Sequence, residues 1–254
     1  MSPTVTPIDF SATPLADSYT GFYAVVLDNV FSADECGMLL GAAQTAGTWA
    51  PAGMMAHADK ETVHSNFRHS EQIVLVDKSV AAGVFERVRE LVSELGLLEP
   101  QGKWGGIVGK AKKTKEKQNS GEERPPRKFE VKTQKASWRL VGMHPRLSFL
   151  RYGPGHYFKP HCDGLNELTE GVSVPQKSFV TIHLYLNGLD DSPDPLVGGA
   201  TRFWTPDKKH FIDVEPRVGR VLVFQQRMLV HSGEEVVSGV KYSMRGDLMY
   251  EKTE

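Results

Sequence analysis

Two histidines and an aspartate have the types and spacing to hold a metal ion. His161 and Asp163 end the stretch "RYGPGHYFKPHCDG" (151–164), where an aromatic, strand-like run leads into them. In extended backbone, residues i and i+2 project to one face, so both side chains can reach one ion while Cys162 points away. His231 is the candidate third ligand, because two imidazoles and a carboxylate on one face of a non-haem iron leave three positions open. It follows "GRVLVFQQRMLV", which reads as a strand; the competing reading is a turn histidine satisfied by backbone. The same three ligands could also serve a zinc hydrolase. A second pair, His57 and Asp59 in "MMAHADK", has no strand pattern before it and reads as an incidental loop pair.

The strand after His231 begins "GVKYSMRGD", and alternation places Lys241, Ser243, Arg245 and Asp247 on one face. If that face is interior, its two cations need an anion or an acidic neighbour, since unpaired charge is rarely buried. The alternative is that the face is solvent.

These residues need a scaffold, and the texture of the chain supplies one. After Trp138 come short alternating segments broken by Gly and Pro: "RLSFLRY", "SFVTIHLYLN", "ATRFW", "HFIDVEP", "RVLVFQQ" and "VKYSMRGDLMY". This is the spacing of a β-sandwich or barrel. Upstream, "FYAVVLDNVF" reads as a strand. A helix follows it, with a capping box at Ser32 and Glu35 and a stop at Gly47. A second helix is expected from Asp77 as cap to Gly96, on Val80, Val84, Val88, Leu91, Val92 and Leu95. Residues 1–20 read as a loosely ordered arm. Between Lys110 and Lys135, ten Lys or Arg face four Glu, which reads as a flexible insertion in solvent, a basic tether for an acidic partner or nucleic acid, or a localisation signal that would admit the nucleus.

A length of 254 residues with 40% apolar content supports a sizeable core, and a net charge of -1 argues against nucleic acid or anionic membrane as the default partner. No run approaches a membrane span, and no signal-peptide pattern opens the chain. Two cysteines, Cys36 and Cys162, are too few for a disulfide framework, which fits a reducing, cytoplasmic setting.

Taken together, Tyr152 nine residues before His161-x-Asp163, "GGATRF" (198–203), "GRVLVF" (219–224), and His231 with Lys241 ten residues on resemble the iron(II)/2-oxoglutarate-dependent dioxygenases of the prolyl 4-hydroxylase type. The resemblance implies a mainly β fold with flanking helices: a double-stranded β-helix, or jelly roll, over about 138–250. Helical support would occupy about 21–102 and the basic insertion about 103–135, all within one domain from 21 to 254. It implies Fe(II) on His161, Asp163 and His231, and 2-oxoglutarate on Lys241 with Tyr152, Tyr185 and Thr201. Arg245 would assist Lys241 or face the substrate. Phe158 would pack on the pocket wall and Gly164 would let the chain leave the metal uncrowded. Dioxygen and a peptide or small-molecule substrate are implied, with ascorbate as reductant and succinate and CO2 as products. The carboxylate of Asp163 favours hydroxylation over halogenation. The competing reading is a non-catalytic jelly-roll binding module that uses the basic insertion.

Overall fold

The computed structural model describes residues 2–57, 60–62, 64–111, 131–132, 135–189 and 195–253. Its two long helices are α1 (Ala33–Ala46) and α2 (Lys78–Val88). The principal strands are β1 (Thr4–Pro7), β2 (Ala24–Asp28), β3 (Glu71–Val76), β4 (Trp138–Met143), β5 (Arg146–Tyr152), β6 (Tyr157–His161), β7 (Gln176–Tyr185), β8 (Thr201–Trp204), β9 (Phe211–Val214), β10 (Val221–Gln225), β11 (His231–Gly233) and β12 (Lys241–Lys252).

Two antiparallel sheets build a jelly roll. The larger runs β1-β2-β10-β7-β12-β5-β3, with β4 beside the far half of β12. The smaller runs β9-β8-β11-β6 and ends on the short strand Arg68–His69. Continuous apolar positions in "VLVF" (221–224) and alternate ones in β7 fit strands covered on both faces. All five residues of β10 are buried. On the outer face of the larger sheet, α1 and α2 close the main core through Cys36, Ala43, Ala81, Val84 and Val88.

Both helix starts follow from their caps. Ser32 and Glu35 form the reciprocal box that satisfies the first free N–H groups of α1. The Asp77 carboxylate accepts from the backbone N–H groups of Ser79 and Val80. The second helix is shorter than its apolar spacing suggests. It ends at Val88, and a 3-10 turn over Ser93–Leu95 carries Leu95 into the core instead.

The first twenty residues are not a loose arm. β1 pairs with β2, and Phe10, Leu15 and Tyr19 are buried in a second core with Tyr185, Phe203 and Phe224. Burial of three large side chains outweighs the Pro-rich composition that reads as disorder. The basic insertion is also narrower than expected. Ile107 and Val108 are buried in the main core, and Lys110–Ala111 pairs with Val131–Lys132. Most of the insertion, 112–130 and 133–134, lies outside the described residues, as does Asp59. His57 closes a short strand, Met54–His57, rather than lying in a loop.

Candidate active site

His161 is the last residue of β6 and His231 the first of β11, and the two are directly paired across the smaller sheet. Their rings lie 4.4 Å apart. Asp163 follows two residues after β6. Its carboxylate oxygens lie 3.9 Å from His161 Nε2 and 3.9 Å from His231 Nε2. One ligand atom from each of the three residues falls within 4.8 Å of the others. That separation suits three donors sharing one ion.

The donor chemistry fits a divalent metal. His161 Nδ1 donates to the Lys159 carbonyl at 2.8 Å, and His231 Nδ1 to the Leu229 carbonyl at 3.1 Å. Those bonds fix the tautomer and leave each Nε2 lone pair facing the shared space. Burial, then the neighbouring His231, pushes the His161 imidazole down to about 3, and burial lowers that of His231. Both rings are therefore neutral at pH 7 and free to ligate. Burial alone would raise the carboxyl of Asp163, but Arg245, His231, His161 and the hydroxyl of Thr181 overcome it and hold it well below the carboxylate range. The set is two neutral nitrogens and one anionic oxygen.

Thr181, on β7, donates to Asp163 Oδ2 at 2.6 Å. Arg245, 82 residues along the chain but adjacent in space, contacts both carboxylate oxygens at 3.4 Å and Asp247 Oδ1 at 3.0 Å. Asp247 in turn accepts from Asn166 Nδ2 and Gln226 Nε2, each at 2.6 Å. Asn166 and Gln226 are joined through Ser178. This partly buried network anchors the chain just past His161 and Asp163, and residues that act on Asp163 through such bonds orient its carboxylate.

At the other end lies Lys241, 1% exposed. Its ammonium donates to the Gly199 carbonyl and sits 5.4 Å from the ring centres of both Tyr152 and Tyr185. Among the described residues no carboxylate lies within ion-pair distance of it. Burial lowers its pKa to about 8. Gly199 is held at φ +73°, a conformation that favours glycine, and a Cβ there would crowd Lys241 and Val236 at 3.1 Å. Gly198, at φ +80°, is held more tightly still, since a Cβ there would lie 2.4 Å from the Glu235 carbonyl oxygen.

A cavity of about 830 Å³ joins the two ends, lined among others by Tyr152, His161, Asp163, Thr201, His231, Lys241 and Arg245. The shared face of β12 is therefore interior: Ser243 and Asp247 are buried with Lys241. Of the residues expected at the cosubstrate, Tyr152, Thr201, Lys241 and Arg245 line the cavity. Tyr185 does not. It lies fully buried behind Thr201 and donates to its hydroxyl at 2.7 Å. Arg245 does not assist Lys241 but turns to Asp163 and Asp247. Phe158 stacks on His161 with ring centres 3.6 Å apart. Gly164 is not needed for space, since a Cβ there meets nothing within 4 Å. Thr181, Asn166, Ser178 and Gln226 escaped sequence reasoning. Only alternation along β7, which puts Thr181, His183 and Tyr185 on one face, offered a signal for Thr181.

Residues 147–246 match the model of the 2OG-Fe(II) oxygenase superfamily. This stretch, which holds all three ligands and Lys241, is therefore a 2OG-Fe(II) oxygenase domain. Its fold is that of the prolyl hydroxylases. A Pseudomonas putida prolyl-4-hydroxylase aligns over 94% of this chain and 94% of its own, with TM-score 0.52 and 16% identity. A Trichoplax adhaerens prolyl hydroxylase, solved with a hypoxia inducible factor oxygen degradation domain peptide fragment, aligns over 89% of this chain and 82% of its own, with TM-score 0.55 and 14% identity. No curated protein sequence matches the chain.

Proposed function

We propose that this oxygenase holds Fe(II) on His161, Asp163 and His231 and 2-oxoglutarate between that ion and Lys241, and hydroxylates a side chain of a peptide or a small molecule. The observation that carries the reading is the pairing, in one cavity, of a three-donor cluster with a buried lysine that has no ion-pair partner among the described residues. When bound, the iron supplies the oxidising power by coupling dioxygen and 2-oxoglutarate decarboxylation, giving succinate and CO2, to substrate hydroxylation.

The chain's own residues do the rest. His161 and His231 present neutral Nε2 atoms, and Thr181 and Arg245 fix the rotamer of Asp163. Lys241 offers a cation to the far carboxylate of 2-oxoglutarate, with the Thr201 hydroxyl beside it and Tyr185 fixing that hydroxyl. Leu150, Phe158 and Phe224 add apolar surface to the cavity wall, where Phe158 and Phe224 pack on the His161 and His231 rings. A dicarboxylate cradle has no use in a zinc hydrolase, so Lys241 supports the oxygenase over that alternative.

A peptide substrate draws support from the peptide bound to the Trichoplax enzyme, and ascorbate as reductant from the family resemblance alone. The free thiols of Cys36 and Cys162 support the cytoplasm as its compartment. Anaerobic addition of Fe(II) and 2-oxoglutarate is expected to produce a weak visible charge-transfer band, absent in His161→Ala protein. Correctly folded wild-type protein that gives no band would overturn the reading.

A further inference from the structure

Resting on that oxygenase reading, we infer that the prime substrate carries an oxyanion, a carboxylate or a phosphate, which Arg146 binds at the mouth of the cavity. The strand register locates this subsite. Tyr152 lies opposite Lys241, and Ser148 opposite Arg245. The alternating residues Tyr152, Leu150, Ser148 and Arg146 all line the cavity, so they lead from the Lys241 end, past Arg245, to the mouth. At about 3.4 Å per residue, Arg146 stands about 20 Å along the strand from Tyr152. It is well clear of the 2-oxoglutarate end.

The charges at this end are unequal. Arg245 is engaged by Asp163 and Asp247, and Glu167 by Lys177. Arg146 makes one side-chain hydrogen bond, from Nη1 to Ser148 Oγ at 3.3 Å, and among the described residues no carboxylate reaches it. On the opposite wall the contacts of Arg68 among the described residues are with neutral groups: Ser70 Oγ and the Gly53 carbonyl, each at 3.0 Å, and the face of Phe158. Around the cavity Arg68, Arg146, Lys241 and Arg245 stand against Asp163 and Glu167. Fe(II) and the 2-oxoglutarate dianion cancel one another, so the described lining of the loaded cavity keeps an excess of two positive charges.

The walls agree. The lining from Arg146 to Leu150 and from Gly164 to Glu167 contains Ser148, Asn166 and Leu165 but no aromatic ring on which a prolyl ring could pack. A guanidinium with four N–H groups uncommitted matches the two-oxygen geometry of a carboxylate or phosphate.

The test uses full-length protein loaded anaerobically with Mn(II) and saturating 2-oxoglutarate, read against His161→Ala protein as baseline. Paramagnetic broadening of proton signals is compared within three probe pairs: N-acetyl-L-glutamate and N-acetyl-L-glutamine, glycerol 3-phosphate and glycerol, and the capped peptides Ala-Ala-Glu-Ala-Ala and Ala-Ala-Gln-Ala-Ala. At least one anionic member is expected to broaden about five-fold more than its neutral partner, and Arg146→Gln to bring that ratio near one. The responding pair tells whether the group is carboxylate or phosphate, free or peptide-borne. Equal broadening within all three pairs, or a ratio unchanged by Arg146→Gln, overturns the inference. The signals of 2-oxoglutarate in the same samples separate the two failures. If they stay sharp in wild type, the oxygenase reading falls and takes this one with it; if they broaden while the pairs do not differ, only the anion subsite is lost.

Discussion

Replacing Lys241 by Met should make the ligand-free protein more stable while removing its grip on 2-oxoglutarate. Lys241 is buried with a carbonyl and two aromatic faces for company, and its pKa falls from 10.5 to about 8. A gap of about 2.5 units at about 1.4 kcal/mol per unit means that holding the ammonium charged costs the fold about 3 kcal/mol at neutral pH. The sign follows from proton binding. Below pH 8 both folded and unfolded chains carry the proton, so the full penalty stands. Between 8 and 10.5 the folded chain sheds it first, and stability rises with pH until the penalty is gone. Methionine keeps the volume of the stem without the charge. Metal-free Lys241→Met is therefore expected to exceed wild type by about 2–3 kcal/mol in urea unfolding at pH 7, with the difference shrinking from pH 8 to 10. Its affinity for 2-oxoglutarate, measured calorimetrically with Mn(II), should fall by at least a hundredfold. A variant that is less stable than wild type at pH 7, or a stability difference that does not change with pH, would refute the argument that this lysine is kept for binding at the expense of the fold.

Three further outcomes are expected. In wild type, 2-oxoglutarate affinity should decline about tenfold per unit above pH 8 as Lys241 loses its proton, and Lys241→Arg should flatten the profile over pH 7 to 9; the same decline in Lys241→Arg would assign it to another group. Thr181→Val removes the 2.6 Å bond to Asp163 and should weaken Fe(II) binding about 10–100-fold in chelator competition, with the fold intact by circular dichroism. Phe10→Ala should cost about 3–5 kcal/mol in chemical denaturation, since the ring is 2% exposed between Tyr19 and Phe203; a cost under about 1 kcal/mol would return the first twenty residues to the status of a dispensable arm.

The candidate metal ligands stood out because each lies beside a strand whose period is visible. His161 closes an aromatic run, His231 follows an apolar one, and period two carries Lys241, Ser243, Arg245 and Asp247 to one face. The capping box at Ser32 was legible for a similar reason, since its two hydrogen bonds span three residues. Less could be read where a residue's partner is distant along the chain. Proline content suggested a loose start to the chain, yet Phe10, Leu15 and Tyr19 find Phe203 and Phe224 about two hundred residues later. The regular apolar spacing from Val80 to Leu95 suggested one helix, and nothing local announced that the chain would turn after Val88.

Local periodicity and residue chemistry thus marked the β-rich core and the His161–Asp163 pair, and the family resemblance added His231 as third donor and Lys241 as the cation. Tertiary packing decided which face of β12 is interior, that Arg245 serves Asp163 rather than Lys241, and that Tyr185 stands behind Thr201 instead of in the cavity. It also assembled the Asn166–Asp247–Gln226 network. The reason is range: a two-residue period is written in neighbouring side chains, whereas the partner of a buried charge is set by strands that meet only once the sheets have closed.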